Sequence, residues 1–169
     1  YEETAKRGIS GFGQGVHSIA AHYVLNYGSE EQKQRFLPRM ASGELIGAIG
    51  MTEPGAGSDL KAIRTRAVRD GDDYVVNGSK TFITNGGSAE ILMLVVRTDP
   101  NDRNRGLSIL MVETPDLKGY RVGRVLDKMG MQAQDTAELF FEDVRVPVAN
   151  LLGEEGKGMH MLMGDLPYE

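Results

Sequence analysis

The run Gly50-Met51-Thr52-Glu53-Pro54-Gly55-Ala56-Gly57-Ser58-Asp59 packs three glycines, a proline and four oxygen-bearing side chains into ten residues. Glycine permits turns that clash for other residues and lets a backbone approach a ligand closely. Thr52 and Ser58 carry hydroxyls that donate or accept. Backbone N–H groups in such a bend form a concavity suited to an anion. The residues alone leave two readings open. One is a loop that binds a polar, phosphorylated ligand; the other is a turn between strands, since Pro and Gly punctuate any chain.

Downstream of this run the chain alternates in short apolar stretches. Strands are expected at Ile46–Met51, Ala62–Arg69, Tyr74–Val76, Lys80–Thr84, Ile91–Arg97, Leu107–Glu113, Tyr120–Leu126 and Ala137–Val146. Asn77-Gly78 lies between two of them and signals a type I′ hairpin. Asp70-Gly71 and Asn85-Gly86-Gly87 mark further turns. Strands at this spacing, with no helical pattern between them, predict an antiparallel barrel or sandwich. Pro147 ends the last of these strands. On the final strand, strict alternation puts Phe140 and Val144 on one face and Phe141 on the other.

Upstream the period is helical. Ile9, Phe12, Val16, Ile19, Ala20, Tyr23, Val24 and Tyr27 share one face of a helix over 9–27. Gly28 stops it, while Gly11, Gly13 and Gly15 imply close packing or a later start. Ser29-Glu30-Glu31-Gln32 reads as a capping box opening a second helix. Pro38 bends or ends that helix and Gly43 closes the region. After Gly158 the helical period returns in Met159, Leu162, Met163 and Leu166.

The chain has 169 residues, enough for one domain and part of another with a sizeable core. Hydrophobic residues make up 40% and charged residues 25%, the balance of a globular chain. A net charge of -5 argues against a general nucleic-acid binder. The absence of cysteine excludes disulfides, thiolate nucleophiles and cysteine metal sites. The aliphatic run Ile91 to Val96 is too short to cross a bilayer, and the start shows no signal-peptide pattern. Tyr1 is not a natural first residue, so the expectation is of a piece of a longer protein.

The Gly50–Asp59 run resembles the first signature of the acyl-CoA dehydrogenase family, flavoenzymes that desaturate acyl thioesters. Two further stretches carry the same resemblance. One is Phe82-Ile83-Thr84 followed by Asn85-Gly86. The other is Met129-Gly130-Met131-Gln132-Ala133-Gln134-Asp135-Thr136 with the strand to Pro147. The resemblance spans nearly the whole chain, from the Ser29 helix to Glu169. It implies an α+β fold: the end of an N-terminal helical domain over 1–45, an antiparallel β-barrel middle domain over 46–150, and the truncated start of a C-terminal helical bundle over 151–169.

The resemblance also implies roles. FAD would be held by Ile49, Met51, Thr52, Gly57, Ser58, Phe82, Ile83 and Thr84. Thr52 would bond the pyrimidine end of the flavin and Thr84 would reach N5. Where other members often have Trp, this chain has Phe82, whose ring can also lie against an isoalloxazine. Ser58, Asn104, Arg105, His160 and Tyr168 would face the acyl-CoA. Leu166-Pro167-Tyr168-Glu169 is similar to the segment in which the long-chain and isovaleryl-type branch places its catalytic glutamate, which makes Glu169 the base. The reaction would be α,β-dehydrogenation, with the α-proton passing to Glu169 and the β-hydride to flavin N5. Electrons would go on to an electron-transfer flavoprotein, and the enzyme would be a homotetramer in the cytoplasm of a bacterium or in the mitochondrial matrix.

Basic side chains at Lys61, Arg64, Arg66, Arg103 and Arg105 could meet phosphate, though a solvated rim is the simpler reading for Arg64 and Arg66. Gly78-Ser79-Lys80-Thr81 lacks the earlier glycine spacing of a P-loop. His17 and His22 lie five apart, so they do not share a helix face as a zinc pair would. No metal is expected. The rival readings are an acyl-CoA oxidase, a non-catalytic flavin-binding relative, and a plain β-barrel binding module.

Overall fold

The computed structural model describes residues 3, 6, 7, 13–102 and 106–165. The helix expected over 9–27 is described as α1, Gln14–Tyr27, with Gly13 as its N-cap. Gly28 stops it, its N–H donating to the Val24 carbonyl at 2.9 Å. A Cβ on Gly13 would fall 1.8 Å from the Asn85 side chain, so the glycine there serves close packing.

Helix α2, Glu30–Ala41, opens on the expected capping box. Ser29 Oγ accepts from Gln32 N–H at 3.1 Å, and Gln32 Oε1 accepts from Ser29 N–H at 2.9 Å. Such a cap is worth about 1 kcal/mol. Gln32 does more than cap: its Nε2 donates to the carbonyls of Ala149 and Leu151, at 2.8 and 3.0 Å. Pro38 does not end this helix, which continues to Ala41. Having no N–H, Pro38 leaves the Gln34 carbonyl without its helical donor, and the ladder resumes beyond it, with Ser42 N–H donating to the Pro38 carbonyl at 3.0 Å.

The strands are β1 Gly47–Gly50, β2 Arg66–Asp70, β3 Asp73–Thr84, β4 Ile91–Arg97, β5 Leu107–Glu113, β6 Tyr120–Val125, β7 Thr136–Pro147 and β8 Leu151–Leu152. A last helix, α3, covers Gly158–Asp165. The strands form one mixed sheet in the order β6-β7-β3-β2-β4-β5-β8, with β1 beside β4. The α+β class therefore stands, but the closed antiparallel barrel is corrected. β1 and β2 each run parallel to β4, and the path ends at β6 and β8 without joining them.

β4 and β5 are buried on both faces, which explains their unbroken apolar runs. Ile91, Met93 and Val95 of β4 pack with Ala20, Tyr23, Val24, Phe36 and Met40 of the helices. Leu92, Leu94 and Val96 face the other way, against Val76 and Ile83 of β3 and Leu139, Phe141 and Val144 of β7. The sheet thus separates two cores.

Asn77-Gly78 is not a hairpin. Both residues lie inside the continuous strand β3, and the two-residue turn is Gly71-Asp72, between Asp70 and Asp73. Gly71 takes the left-handed backbone the turn needs, with φ 64°. Gly78 is glycine for a different reason: a Cβ there would come within 2.7 Å of Thr65 Cα. The segment expected as one strand over 62–69 divides into a 3-10 turn at Leu60–Ala62 and a strand that begins at Arg66.

The β3–β7 ladder slips twice. Between the pairs Val76–Val144 and Gly78–Phe141, β7 carries one residue more than β3. Asp143 sits in that bulge with φ 50°. The bulge reverses the alternation, so Phe141 and Val144 share the core face. Phe140 lies on the opposite face, under the Arg121 guanidinium at 4.0 Å. This corrects the expected pairing of Phe140 with Val144. Between the pairs Lys80–Leu139 and Ile83–Ala137 the extra residue is on β3.

Candidate functional site

The second bulge contains Phe82. Its backbone has φ 58°, a sterically costly conformation for a bulky side chain, and its ring is 66% exposed. Its neighbours Thr81 and Ile83 are buried. The bulge therefore turns one aromatic side chain outward from a strand that otherwise feeds the core, as bulges beside binding sites do.

The Gly50–Asp59 run lies alongside this point. Glu53 and Ala56 exchange both backbone hydrogen bonds, at 2.9 and 3.1 Å, so Pro54-Gly55 forms the tip of a tight turn. Thr52 carbonyl accepts from Thr81 N–H at 2.9 Å. Ile49 and Met51 are half-buried against the helix-side core. Thr52 is half-buried, while Gly57 and Ser58 are exposed. A Cβ on Gly57 would meet nothing within 4 Å among the described residues, and its φ is not positive. The chain itself gives no steric reason for glycine there, and close approach of a ligand would.

Below the run lies a charged pair that sequence reasoning missed. Lys80 Nζ donates to Glu53 Oε1 at 2.8 Å and to the Met51 carbonyl at 3.0 Å. Glu53 also accepts the N–H groups of Arg64 and Thr65, at 2.7 and 2.9 Å. Burial alone would raise the Glu53 pKa, but Lys80 and these N–H donors outweigh it and hold it below the usual carboxylate range. Burial pulls Lys80 down to about 8, against the opposing attraction of Glu53. Nothing local marks Lys80 or Glu53 in the sequence; only the fold brings them together.

Thr84 closes β3, half-buried, its Oγ1 accepting from Gln134 Nε2 at 3.2 Å. This bond brings the Met129–Thr136 stretch to the end of the same strand. Asn85 follows with φ 60° and donates to the carbonyls of Gly13 and Gly47, at 2.9 and 3.1 Å. It joins the start of α1, β1 and the end of β3. The fold thus sets Met51 and Thr52 beside Lys80 and Thr81, next to Phe82, with Thr84 two residues further along β3, while the Ile83 side chain belongs to the core.

His160 sits apart, exposed on α3. It lines a cleft of about 940 Å³ with Thr98, Asp99, Asp102, Glu155 and Met163. That cleft shares no lining residue with the Gly50–Asp59 run or with Phe82 and Thr84. Asn104, Arg105, Tyr168 and Glu169 lie outside the described residues, as does Arg103. Lys61, Arg64 and Arg66 line a second cleft of about 630 Å³ with Arg97, which shares Thr98 with the first. The Arg97 guanidinium is committed to the carbonyls of Lys61, Ile63 and Asp102.

His17 is a structural residue. Its Nδ1 accepts from Gly47 N–H at 2.9 Å and its Nε2 lies 3.0 Å from the Met40 carbonyl. The first bond fixes the tautomer, with the proton on Nε2. Among the described residues no group of His, Asp and Glu could hold a metal ion, and no helix is long and apolar enough to cross a membrane.

Comparison with known proteins extends the geometry. Residues 1–44 match the family model "Acyl-CoA dehydrogenase, N-terminal domain", and residues 48–144 match "Acyl-CoA dehydrogenase, middle domain". The long-chain specific acyl-CoA dehydrogenase, mitochondrial, of Sus scrofa is 52% identical over 172 residues, covering 100% of this chain and 40% of that protein. The isovaleryl-CoA dehydrogenase, mitochondrial, of Pongo abelii is 41% identical over 165 residues, covering 96% of the chain and 39% of that protein. Among solved structures, an acyl-CoA dehydrogenase from Geobacillus kaustophilus superimposes with a TM-score of 0.86 at 56% identity, over 89% of this chain and 40% of that one. The chain therefore spans well under half the length of the relatives it matches.

Proposed function

Because the chain belongs to the acyl-CoA dehydrogenase family, we propose that it is the part of an FAD-dependent acyl-CoA dehydrogenase that holds the flavin ring against the thioester. The observation that carries this reading is the bulge at Phe82. A strained, outward-facing aromatic stands beside a glycine-softened loop and two half-buried hydroxyls, Thr52 and Thr84. Backbone strain in a bulky residue persists only where the surrounding structure imposes it, and it concentrates at ligand sites.

The residues fit the group. Phe82 offers a ring face to an isoalloxazine, and Thr52 and Thr84 offer hydrogen bonds to its polar edge. Ile49 and Met51 support the loop from the core side, and Gly57 and Ser58 leave room for close approach. When bound, FAD supplies the acceptor for a hydride from the substrate β-carbon. The protein orients the thioester and removes the α-proton. We assign the base to Glu169, in the Leu166-Pro167-Tyr168-Glu169 segment, on the strength of the family resemblance. A carboxylate does this work once desolvation raises its pKa. Ser58, Asn104, Arg105, His160 and Tyr168 are proposed to face the acyl-CoA. An electron-transfer flavoprotein as acceptor, a tetrameric assembly, and a bacterial cytoplasmic or mitochondrial location belong to the same proposal.

The test is anaerobic titration of the full-length protein with a panel of acyl-CoAs. A yellow protein whose flavin bleaches with one or more of them supports the reading. A colourless protein, or a yellow one that no acyl-CoA bleaches, overturns it. Reoxidation of the bleached enzyme in air separates the dehydrogenase from an oxidase. The variant Glu169→Gln is expected to keep FAD and lose bleaching.

A further inference from the structure

Lys80 is 1% exposed and Glu53 7%. Burying two charges is costly, and apolar residues of similar volume often serve stability as well or better. Stability alone is therefore a weak reason for this pair, whereas its connections have a direction. Lys80 Nζ binds the Met51 carbonyl and Glu53 at the start of the loop. Glu53 binds Arg64 N–H and Thr65 N–H at its far end. The next residue of β3 after Lys80, Thr81, donates its N–H to the Thr52 carbonyl. Phe82 and its bulge follow at once. Both ends of the loop are thus clamped to β3 immediately before the strand distorts.

We propose that Glu53 and Lys80 are positioning residues that set the spacing between Thr52 and the outward-turned Phe82, and hence the gap that receives the flavin ring. The proposal rests on the flavin reading above. Both side chains are buried beneath the loop and act through its backbone. The pair has a property that loop composition cannot supply: it resists sliding of Met51–Glu53 along β3, because either shift would strand a buried charge.

The test uses full-length protein carrying FAD, as wild type, as Lys80→Met, and as Glu53→Gln with Lys80→Met. Lys80→Met alone leaves a buried carboxylate facing no cation, and both melting temperature and FAD affinity are expected to fall. In the double variant no buried charge is left unpaired and the amide oxygen still accepts from one of the two N–H groups, so the melting temperature is expected to rise above that of Lys80→Met. FAD affinity is expected to remain about tenfold weaker, the factor that 1.4 kcal/mol produces. The visible circular dichroism of the bound flavin is expected to stay altered. If the double variant regains wild-type affinity and flavin spectrum together with stability, the proposal is overturned and the pair is a stability element only. Should the double variant fail to fold, Lys80→Arg decides, because it keeps the charge and changes the geometry of the donors. Weaker FAD binding with a changed spectrum supports the proposal, and unchanged binding overturns it. A wild-type protein that takes up no FAD overturns the flavin reading itself, and this proposal with it.

Discussion

Asn77 and Asp143 bond each other twice across the β3–β7 ladder. Asn77 Nδ2 donates to Asp143 Oδ1 at 2.9 Å, and Asp143 N–H donates to Asn77 Oδ1 at 3.0 Å. The side chain thereby occupies the backbone donor that the bulge would leave unpaired. Asn77→Ala is expected to cost about 1 kcal/mol, the usual worth of such a bond. Gly78→Ala is expected to cost more, up to about 3 kcal/mol, because the new methyl meets the Thr65 backbone. Urea melts of the two variants check the order; a milder effect at Gly78 would contradict the close approach.

Gln32 invites a second comparison. Glutamate is as good a capping-box residue as glutamine. Here the Gln32 amide also donates to Ala149 and Leu151 carbonyls, which a carboxylate would repel. Gln32→Glu is therefore expected to destabilise by about 1–3 kcal/mol, at least as much as Gln32→Ala. Thermal melts that rank the glutamate variant as near neutral would show that the cap alone matters.

Phe82 separates stability from binding. Phe82→Gly relieves the positive φ and is expected to raise the stability of the flavin-free protein by about 1 kcal/mol. The same change is expected to weaken FAD binding, while Phe82→Trp keeps it. Melting curves without FAD, paired with FAD titrations, check both signs.

Stability against pH follows from the shifted groups. Glu53 is held below its ordinary range in the fold, so the unfolded state binds its proton first as pH falls. Its contribution is present above pH 4.5 and is lost as pH falls through the folded-state pKa. Burial, then Glu155, whose carboxylate accepts from its hydroxyl, push Tyr74 from 10.0 up to about 12. Its contribution is present below pH 10 and is lost as pH rises towards about 12. Glu53→Gln is expected to flatten the acid limb of the stability profile, and Tyr74→Phe to flatten the alkaline limb while leaving the acid limb as it is. Denaturant melts across pH check this.

What was legible in the sequence is what local chemistry dictates. Ser29 to Gln32 could be read because a capping box closes within one turn, and Gly28 because a helix end is local. The apolar run Ile91–Arg97 marked a strand, which the fold buries on both faces. Partners were not legible: alternation says which face a residue takes, not that β1 runs parallel to β4. Asn77-Gly78 misled because the same dipeptide serves a turn or a bulge, and only distant Thr65 and Asp143 decide. At the candidate site, Thr52, Phe82 and Thr84 came from family resemblance, and the fold sets Thr52 beside the bulge that carries Phe82. Lys80 and Glu53 gave no signal, since a buried ion pair between residues 27 positions apart looks like two ordinary charges.

The two-sided burial of β4 and β5 bears on how this polypeptide can be cut. Ile91, Met93, Val95, Leu107, Ile109 and Met111 share one core with Ala20, Tyr23, Val24, Phe36, Met40, Met161 and Leu162 of the three helices, and only a few residues of the 46–150 segment, such as Ala56 and Ile63, join them. An excised 46–150 segment would present that row to water as a broad greasy plane, of the kind that drives aggregation. Its preparation calls for the leading helices to be carried along, however neatly a boundary near residue 45 divides the sequence.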